Sequence, residues 1–433
     1  MIDAAVDRAG PVLAVLPESQ VLVAETARDW AGGRPGEAGW MPSDADAPAV
    51  VFPASVEEVA ALIRVANETG ARLLPAGLGS WLGAGGWTRA GEVIVSCMRL
   101  NAVQHYEPAD LTLTADAGLG LTEVEDLLLP NGQWLAVDAP GAGAGTLGGM
   151  VACGVSGALQ GRYGAIRDNV LGVDVVTGAG RVLRIGGRVV KNVAGYDLVR
   201  LFTGSRGSLG IITSVSVRLF PRPEADVTLC YVGGAGEIVA LARNVCTSPL
   251  PIAAVELEGG RESGETVCRV RLLGSGGEVE EVRSRLVDAA GLKPRQILRA
   301  DESAALHGDR AAWEEGSALV VRLAALPDRL ADTFDRGLAL AGALGGEVAA
   351  DALGGVVRVK ASPDAARDED VAGELSRARE VVEAVGGTMT LSQARGEVAA
   401  RAGWTGRRGS GTALGDRIKK LFDPASILAA RCP

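Results

Sequence analysis

The chain has 433 residues, 47% of them apolar, enough to bury the cores of two or three domains. Its 43 basic residues against 53 acidic ones give a formal net charge of −10, without the basic footprint of a nucleic-acid binder. No apolar run reaches the ~18 residues that span a bilayer, and an acidic start with Asp3 and Asp7 is unlike a basic signal peptide. The expectation is a cytoplasmic chain that meets a membrane, at its inner face, only through a partner. The six cysteines include no C-x-x-C pair, and there are two histidines, His105 and His307. That usage argues against zinc and iron–sulfur sites, so no metal centre is expected.

Residues 1–47 read as a helical lead-in and a polar linker. Ala49 to Phe52 is an apolar strand. Pro53 to Thr69 carries a 3.6-residue stripe (Val56, Val59, Ala60, Ile63, Ala66), with Ser55 as N-cap and Gly70 as stop, and reads as a helix. Arg72 to Pro75 is a second strand that enters PAGLGSWLGAGG. Short strands follow at EVIVS, LTLTADAG and QWLAVD, with a helix at Thr122 to Leu129. After a glycine-rich stretch over 139–164, VLGVDVVTGAGRVLRIGG reads as a hairpin turning at Gly178-Ala179-Gly180. A short helix over GYDLVRLFTGS starts at Asp197 and stops at Gly204, and LGIITSVSVRLF is a strand. Pro221 and Pro223 mark a domain boundary. Beyond it, strands (VCRVRLL, ALVVRLA, GVVRVKAS) alternate with helices at 276–289, 328–344 and 368–385. A last helix over GDRIKKLFDPASIL stops near Asp423-Pro424.

Three segments carry chemistry. PAGLGS, Pro75 to Ser80, joins a strand to glycines that let a phosphate approach the backbone, although an ordinary strand-to-loop turn has the same composition. GAGAGTLGG holds a literal G-x-G-x-x-G at 143, 145 and 148, but Pro140 interrupts its approach. Gly154, Gly157, Gly161 and Gly164 also break the helix that a dinucleotide fingerprint needs. A flat glycine wall against a planar cofactor is the simpler reading. Arg167 and Asp168 read equally as cofactor contacts or as a structural ion pair.

PAGLGS, GTLGGMVACGVSG, RYGAIRDNVLG and GGRVVKNVAGYDLVRLFTGSRGSLGIITSVSVRLFPRP resemble the FAD-binding domain of the vanillyl-alcohol oxidase/p-cresol methylhydroxylase superfamily. KNVAGYDL with GGMVACG most resembles the branch of FAD-binding subunits of glycolate oxidase. The resemblance is dense from about 48 to 223 and returns at DRIKKLFDPASIL. It implies an α+β chain: a two-lobed p-cresol-methylhydroxylase-type FAD-binding domain over 48–223 (lobes about 48–100 and 101–223), an α+β cap domain over 224–410 and a C-terminal helix and tail over 411–433. It implies that Pro75, Ala76, Gly77, Leu78, Gly79 and Ser80 hold the FAD pyrophosphate. Asp138, Pro140, Thr146, Gly148, Gly149, Gly154, Ser156, Gly157, Tyr163 and Gly164 would line the cofactor, with Gly210, Ile211 and Ile212 contacting it through backbone. Some relatives attach FAD through a histidine or cysteine in the first loop; SWLGAGG has neither, so the FAD is expected to be non-covalent. The family's Asn-Pro-Gly ending is replaced by Leu428-Ala429-Ala430.

Oxidising a 2-hydroxy acid needs a base, a cation for the carboxylate and a hydride acceptor. Neither histidine has ligand or base spacing, so no catalytic residue is assigned, and Arg395 is a candidate carboxylate binder. The implied function is an FAD-binding subunit of a glycolate oxidase complex, an oxidoreductase acting on CH–OH groups. A larger FAD-linked catalytic subunit and an iron–sulfur subunit would be its partners. A stand-alone FAD oxidase of another alcohol or hydroxy acid, or a non-catalytic scaffold, are the alternatives.

Overall fold

The computed structural model describes residues 2–23, 26–27, 30, 49–82, 92–141, 143, 145–188, 196–259, 264–289, 291–311, 313–314, 316–363, 368–394, 396–402 and 412–428. Part of KNVAGYDL, and Arg395, lie outside them.

The first sheet has the order β1-β2-β4-β3: β1 (Val21–Leu22), β2 (Ala49–Val51), β3 (Arg72–Ala76) and β4 (Glu92–Ser96). β2 and β3 both run parallel to β4. Helix Val56–Thr69 makes the crossover. Ser55 Oγ accepts the Glu58 N–H at its start, and Gly70 closes it at φ 72°, a left-handed turn that suits glycine. Val59, Leu62, Ile63 and Ala66 are fully buried beneath it. Full burial of a Val, Leu or Ile side chain contributes about 1.5–3 kcal/mol. β1 was not expected: the lead-in is tied into the sheet by pairing antiparallel with β2, and Ala9 and Val12 from helix Ile2–Leu13 join the same core.

The second sheet, order β5-β6-β10-β8-β9, is antiparallel throughout. It contains β5 (Val103–Glu107), β6 (Thr112–Asp116), β8 (Val170–Thr177), β9 (Val182–Gly186) and β10 (Gly210–Arg218), while β7 (Gln133–Trp134) pairs separately with β11 (Phe220–Pro221). The hairpin β8–β9 turns through Gly178 to Gly180, with Gly180 at φ 76°. β5 escaped the sequence reading because VQHYE has no alternation of apolar side chains. QWLAVD is a strand only at its first two residues.

The third sheet has eight antiparallel strands in the order β15-β12-β14-β13-β17-β18-β16-β19. They are β12 (Ala225–Gly233), β13 (Ala254–Gly259), β14 (Thr266–Gly274), β15 (Gln296–Arg299), β16 (Leu319–Ala324), β17 (Glu347–Asp351), β18 (Val356–Ala361) and β19 (Thr388–Gln393). Alternation decides its two faces. Val321, Leu323, Val357, Val359, Met389 and Leu391 enter the core formed with helices Ala235–Thr247, Leu330–Leu344 and Asp368–Ala384. Arg322, Arg358, Thr390 and Ser392 point the other way, toward the first two sheets.

Polar contacts join this face to the glycine-rich region. Gln160 Nε2 donates to Asp351 Oδ2 at 2.7 Å, Arg358 Nη2 to the Ser156 carbonyl at 3.2 Å, and Arg162 Nη1 to the Pro251 carbonyl at 2.9 Å. The chain then returns to the first sheets through helix Thr412–Phe422. Phe422 packs edge-on against Phe202, Lys419 pairs with the buried Asp423, and Asp423 accepts the Ile427 and Leu428 N–H groups. Leu428, where the family ending is altered, is buried and bridges to Leu73 of β3.

Asp138 sits near this junction and accepts the Leu159 N–H at 3.0 Å. Burial, and then the charge of Glu256, push its carboxyl up to about 7 from an ordinary 3.8. A carboxyl raised on folding stabilises the protein while protonated. That contribution is complete below about 3.8 and is lost as pH rises through about 7. The unfolding free energy should therefore fall less between pH 5 and 8 in Asp138→Asn than in the unaltered protein. The difference should be about 2 kcal/mol, read from urea denaturation at both pH values.

Candidate functional site

Two adjoining hollows meet at the glycine-rich loops. The narrower, about 70 Å³, is lined by Pro75, Ala76, Gly77, Leu78, Gly79, Ser80, Thr146, Gly148, Gly149, Gly210, Ile211 and Ile212. The broader, about 570 Å³, lies between those loops and the polar face of the third sheet, and takes Gly79, Ser80, Pro140, Gly154 and Ser156. Both share Trp81, Cys153 and Arg206. Asp138, Gly157, Tyr163 and Gly164 line neither. Asp138 caps the Leu159 N–H, and Gly157 lies against it. Tyr163 packs edge-on between Trp134 and Phe220, and Gly164 at φ 83° turns the chain toward Asp168.

The glycine wall has a local cause. The run that resembles a dinucleotide fingerprint forms only the seven-residue helix Leu147–Cys153. Thr146 Oγ1 caps it by accepting the Gly149 N–H, and Gly154 ends it at φ 64°. Each glycine clears space for another part of the protein. A Cβ on Gly77 would stand 2.1 Å from Thr146 Oγ1, one on Gly145 would stand 2.4 Å from the Trp81 ring, and one on Gly148 would stand 2.4 Å from Ala117 Cβ. The result is a cleft with Gly77, Gly79, Gly148, Gly149 and Gly210 in its lining beside Trp81, Ile211 and Ile212. Gly79, at φ 94°, turns the first loop in a backbone conformation that favours glycine. Trp81 seals the wall by donating from Nε1 to the Pro140 carbonyl at 2.9 Å. Arg206 holds φ 53°, costly for a residue with a Cβ, and lines both hollows. A narrow slot opening into a larger cavity fits an elongated nucleotide cofactor that ends in a flat ring system.

The histidines stand apart. His307 is buried, with Nδ1 3.0 Å from Glu256 Oε2 and Nε2 3.0 Å from Thr228 Oγ1, and His105 lies on β5. Asp168 accepts the Ala165 N–H and faces Arg200, while Arg167 is 3.9 Å away and lines the cavity.

The sequence reading did not find the third-sheet wall of the larger cavity. Arg322 of β16 and Arg358 of β18 stand directly opposite in register. Like charges so placed repel. Arg358 is compensated by Glu314, 3.2 Å from its Nε. Arg322 has no ion-pair or hydrogen-bond partner among the described residues. Burial, then the guanidiniums of Arg358 and Arg206, lower its pKa to about 10, so it remains charged at neutral pH. The available signal was a lone arginine within an apolar strand, LVVRLA and again VVRVKA.

Residues 47–186 match the family model described as FAD binding domain. Glycolate oxidase subunit GlcE of Escherichia coli is 41% identical over 179 residues, 39% of this chain and 51% of that protein. D-2-hydroxyglutarate dehydrogenase of Xanthomonas citri pv. viticola is 36% identical over 198 residues, 46% of this chain and 41% of its own length. The chain thus spans about half or less of these relatives. A crystal structure of p-cresol methylhydroxylase with substrate bound superimposes with a TM-score of 0.78 at 17% identity, over 99% of this chain and 96% of that one, which establishes the shared fold. Residues 47–186 are therefore an FAD binding domain, carried in an α+β chain with the p-cresol methylhydroxylase-type fold.

Proposed function

We propose that the chain is the FAD-carrying part of an oxidoreductase that acts on small 2-hydroxy acids, glycolate among them, and works within a multi-subunit assembly. In this reading the FAD-binding part runs over 48–223 and the cap over 224–410. The pyrophosphate lies along Pro75 to Ser80, and Thr146, Gly148, Gly149 and Gly210 to Ile212 complete the slot. When bound, FAD supplies a two-electron acceptor for hydride. The observation that carries the substrate class is Arg322: a partly buried guanidinium with no direct ion-pair or hydrogen-bond partner among the described residues, in the cavity beside the cofactor slot, matches a carboxylate. The glycolate and 2-hydroxyglutarate enzymes among the relatives support the same class. A larger FAD-linked subunit and an iron–sulfur protein would carry the electrons onward.

The test is direct. The purified protein should be yellow, and acid precipitation should leave the polypeptide colourless with FAD in the supernatant. Mixing it anaerobically with glycolate or D-lactate, together with any proteins that co-purify, should bleach the flavin. Flavin retained on the acid-treated chain would contradict non-covalent binding. A flavin that stays oxidised with every 2-hydroxy acid tried would reject the substrate class.

A further inference from the structure

The hydroxyl of such a substrate must lose a proton, and the sequence assigns no residue to take it; the larger cavity holds a candidate. Among the described residues lining it are four guanidiniums, Arg167, Arg206, Arg322 and Arg358, which cannot accept a proton at working pH. The Cys153 thiol is pushed up to about 11 by burial and starts protonated. No histidine, lysine or tyrosine among the described residues reaches the cavity, and one carboxylate does: Glu314. Its Oε1 lies 3.2 Å from Arg358 Nε, and its Oε2 has no hydrogen-bond partner among the described residues. Burial raises its pKa above the ordinary carboxylate value, which suits a base that must hold a proton.

We propose that Glu314 is the proton acceptor of this cavity, taking the hydroxyl proton of a 2-hydroxy acid whose carboxylate rests on Arg322. The inference depends on the hydroxy-acid reading above. The O–H bond breaks with its proton passing to Glu314, while FAD held in the slot would supply the two-electron acceptor for the C2–H pair, so that the carbon would become the carbonyl of a 2-oxo acid. Arg358 keeps Glu314 in place and ionised until the proton arrives. The reaction therefore requires the carboxylate form, so the rate should rise with pH through the Glu314 pKa and then level.

The test compares the FAD-loaded protein, with any co-purifying partners, to Glu314→Gln and Glu314→Asp by rapid anaerobic mixing with glycolate and D-lactate across pH. Glu314→Gln should keep its flavin content while flavin reduction slows about 10²–10⁴-fold and the acid limb of the pH profile disappears. Glu314→Asp, still a carboxylate, should regain part of the rate and the acid limb. A second readout does not depend on turnover. Removing the Glu314 charge releases Arg358, so oxalate, a dianion, should bind Glu314→Gln at least about 10-fold more tightly by flavin difference spectra, with acetate affinity changing less. A Glu314→Gln protein that is reduced at the unaltered rate with its acid limb intact overturns the assignment while the hydroxy-acid reading stands. An unaltered protein that no 2-hydroxy acid reduces overturns both.

Discussion

Gly77→Val should yield protein with less than about a tenth of the normal flavin content, while Gly149→Ala retains most of it. The reason lies in the protein as much as in the cofactor. A Cβ at 77 would stand 2.1 Å from Thr146 Oγ1, the atom that caps helix Leu147–Cys153 by accepting the Gly149 N–H. Losing such a cap costs about 0.5–2 kcal/mol, and a branched side chain must also push the first loop off the helix. The Gly77 carbonyl, which accepts the Ser96 hydroxyl at 2.7 Å, moves with it. Both walls of the slot separate, so binding fails through shape. A methyl at 149 meets Thr146 Oγ1 at 3.0 Å and the Trp81 ring at 3.4 Å, contacts that a small shift relieves. The third sheet has its own core with its helices and should stay folded, giving near-unchanged far-ultraviolet circular dichroism. Flavin content is read from absorbance against protein; a full complement in Gly77→Val would remove these residues from the site.

That result also separates what the sequence could convey from what it could not. The helix at Val56–Thr69 was legible end to end, because Ser55, the apolar stripe and Gly70 act within a few residues of each other. The need for glycine at 77, 145 and 148 was equally visible. Its cause was not, since the atoms that fill those spaces come from Thr146, Trp81 and Ala117. Gly157 and Asp138, which the resemblance puts at the cofactor, meet each other and line neither hollow, a packing that the sequence does not display. Glu314 and Arg322 escaped for a stronger reason. A carboxylate in a connecting loop reads as solvated surface. Arg322 and Arg358 become a pair only once β16 and β18, more than thirty residues apart in sequence, are aligned in register.

That pairing leads to the other large effect. Arg322→Met should weaken binding of glycolate and oxalate about 10²-fold, measured by flavin difference titration. A hydrogen bond to a charged group contributes about 1.5–3 kcal/mol, and a bidentate guanidinium–carboxylate contact makes two of them. Arg322→Lys should fall between, since an ammonium keeps the charge and loses the fork. Stability should move the opposite way. With no ligand, Arg322 faces Arg358 across two strands and has burial working against its charge. Methionine fills similar space without repulsion, so the melting temperature of the ligand-free variant should equal or exceed that of the unaltered protein. A structural arginine would behave differently: its removal would lower stability and leave ligand affinity nearly unchanged. Loss of affinity with stability kept is the signature of a charge held, at a cost to the fold, for an anion that arrives from outside.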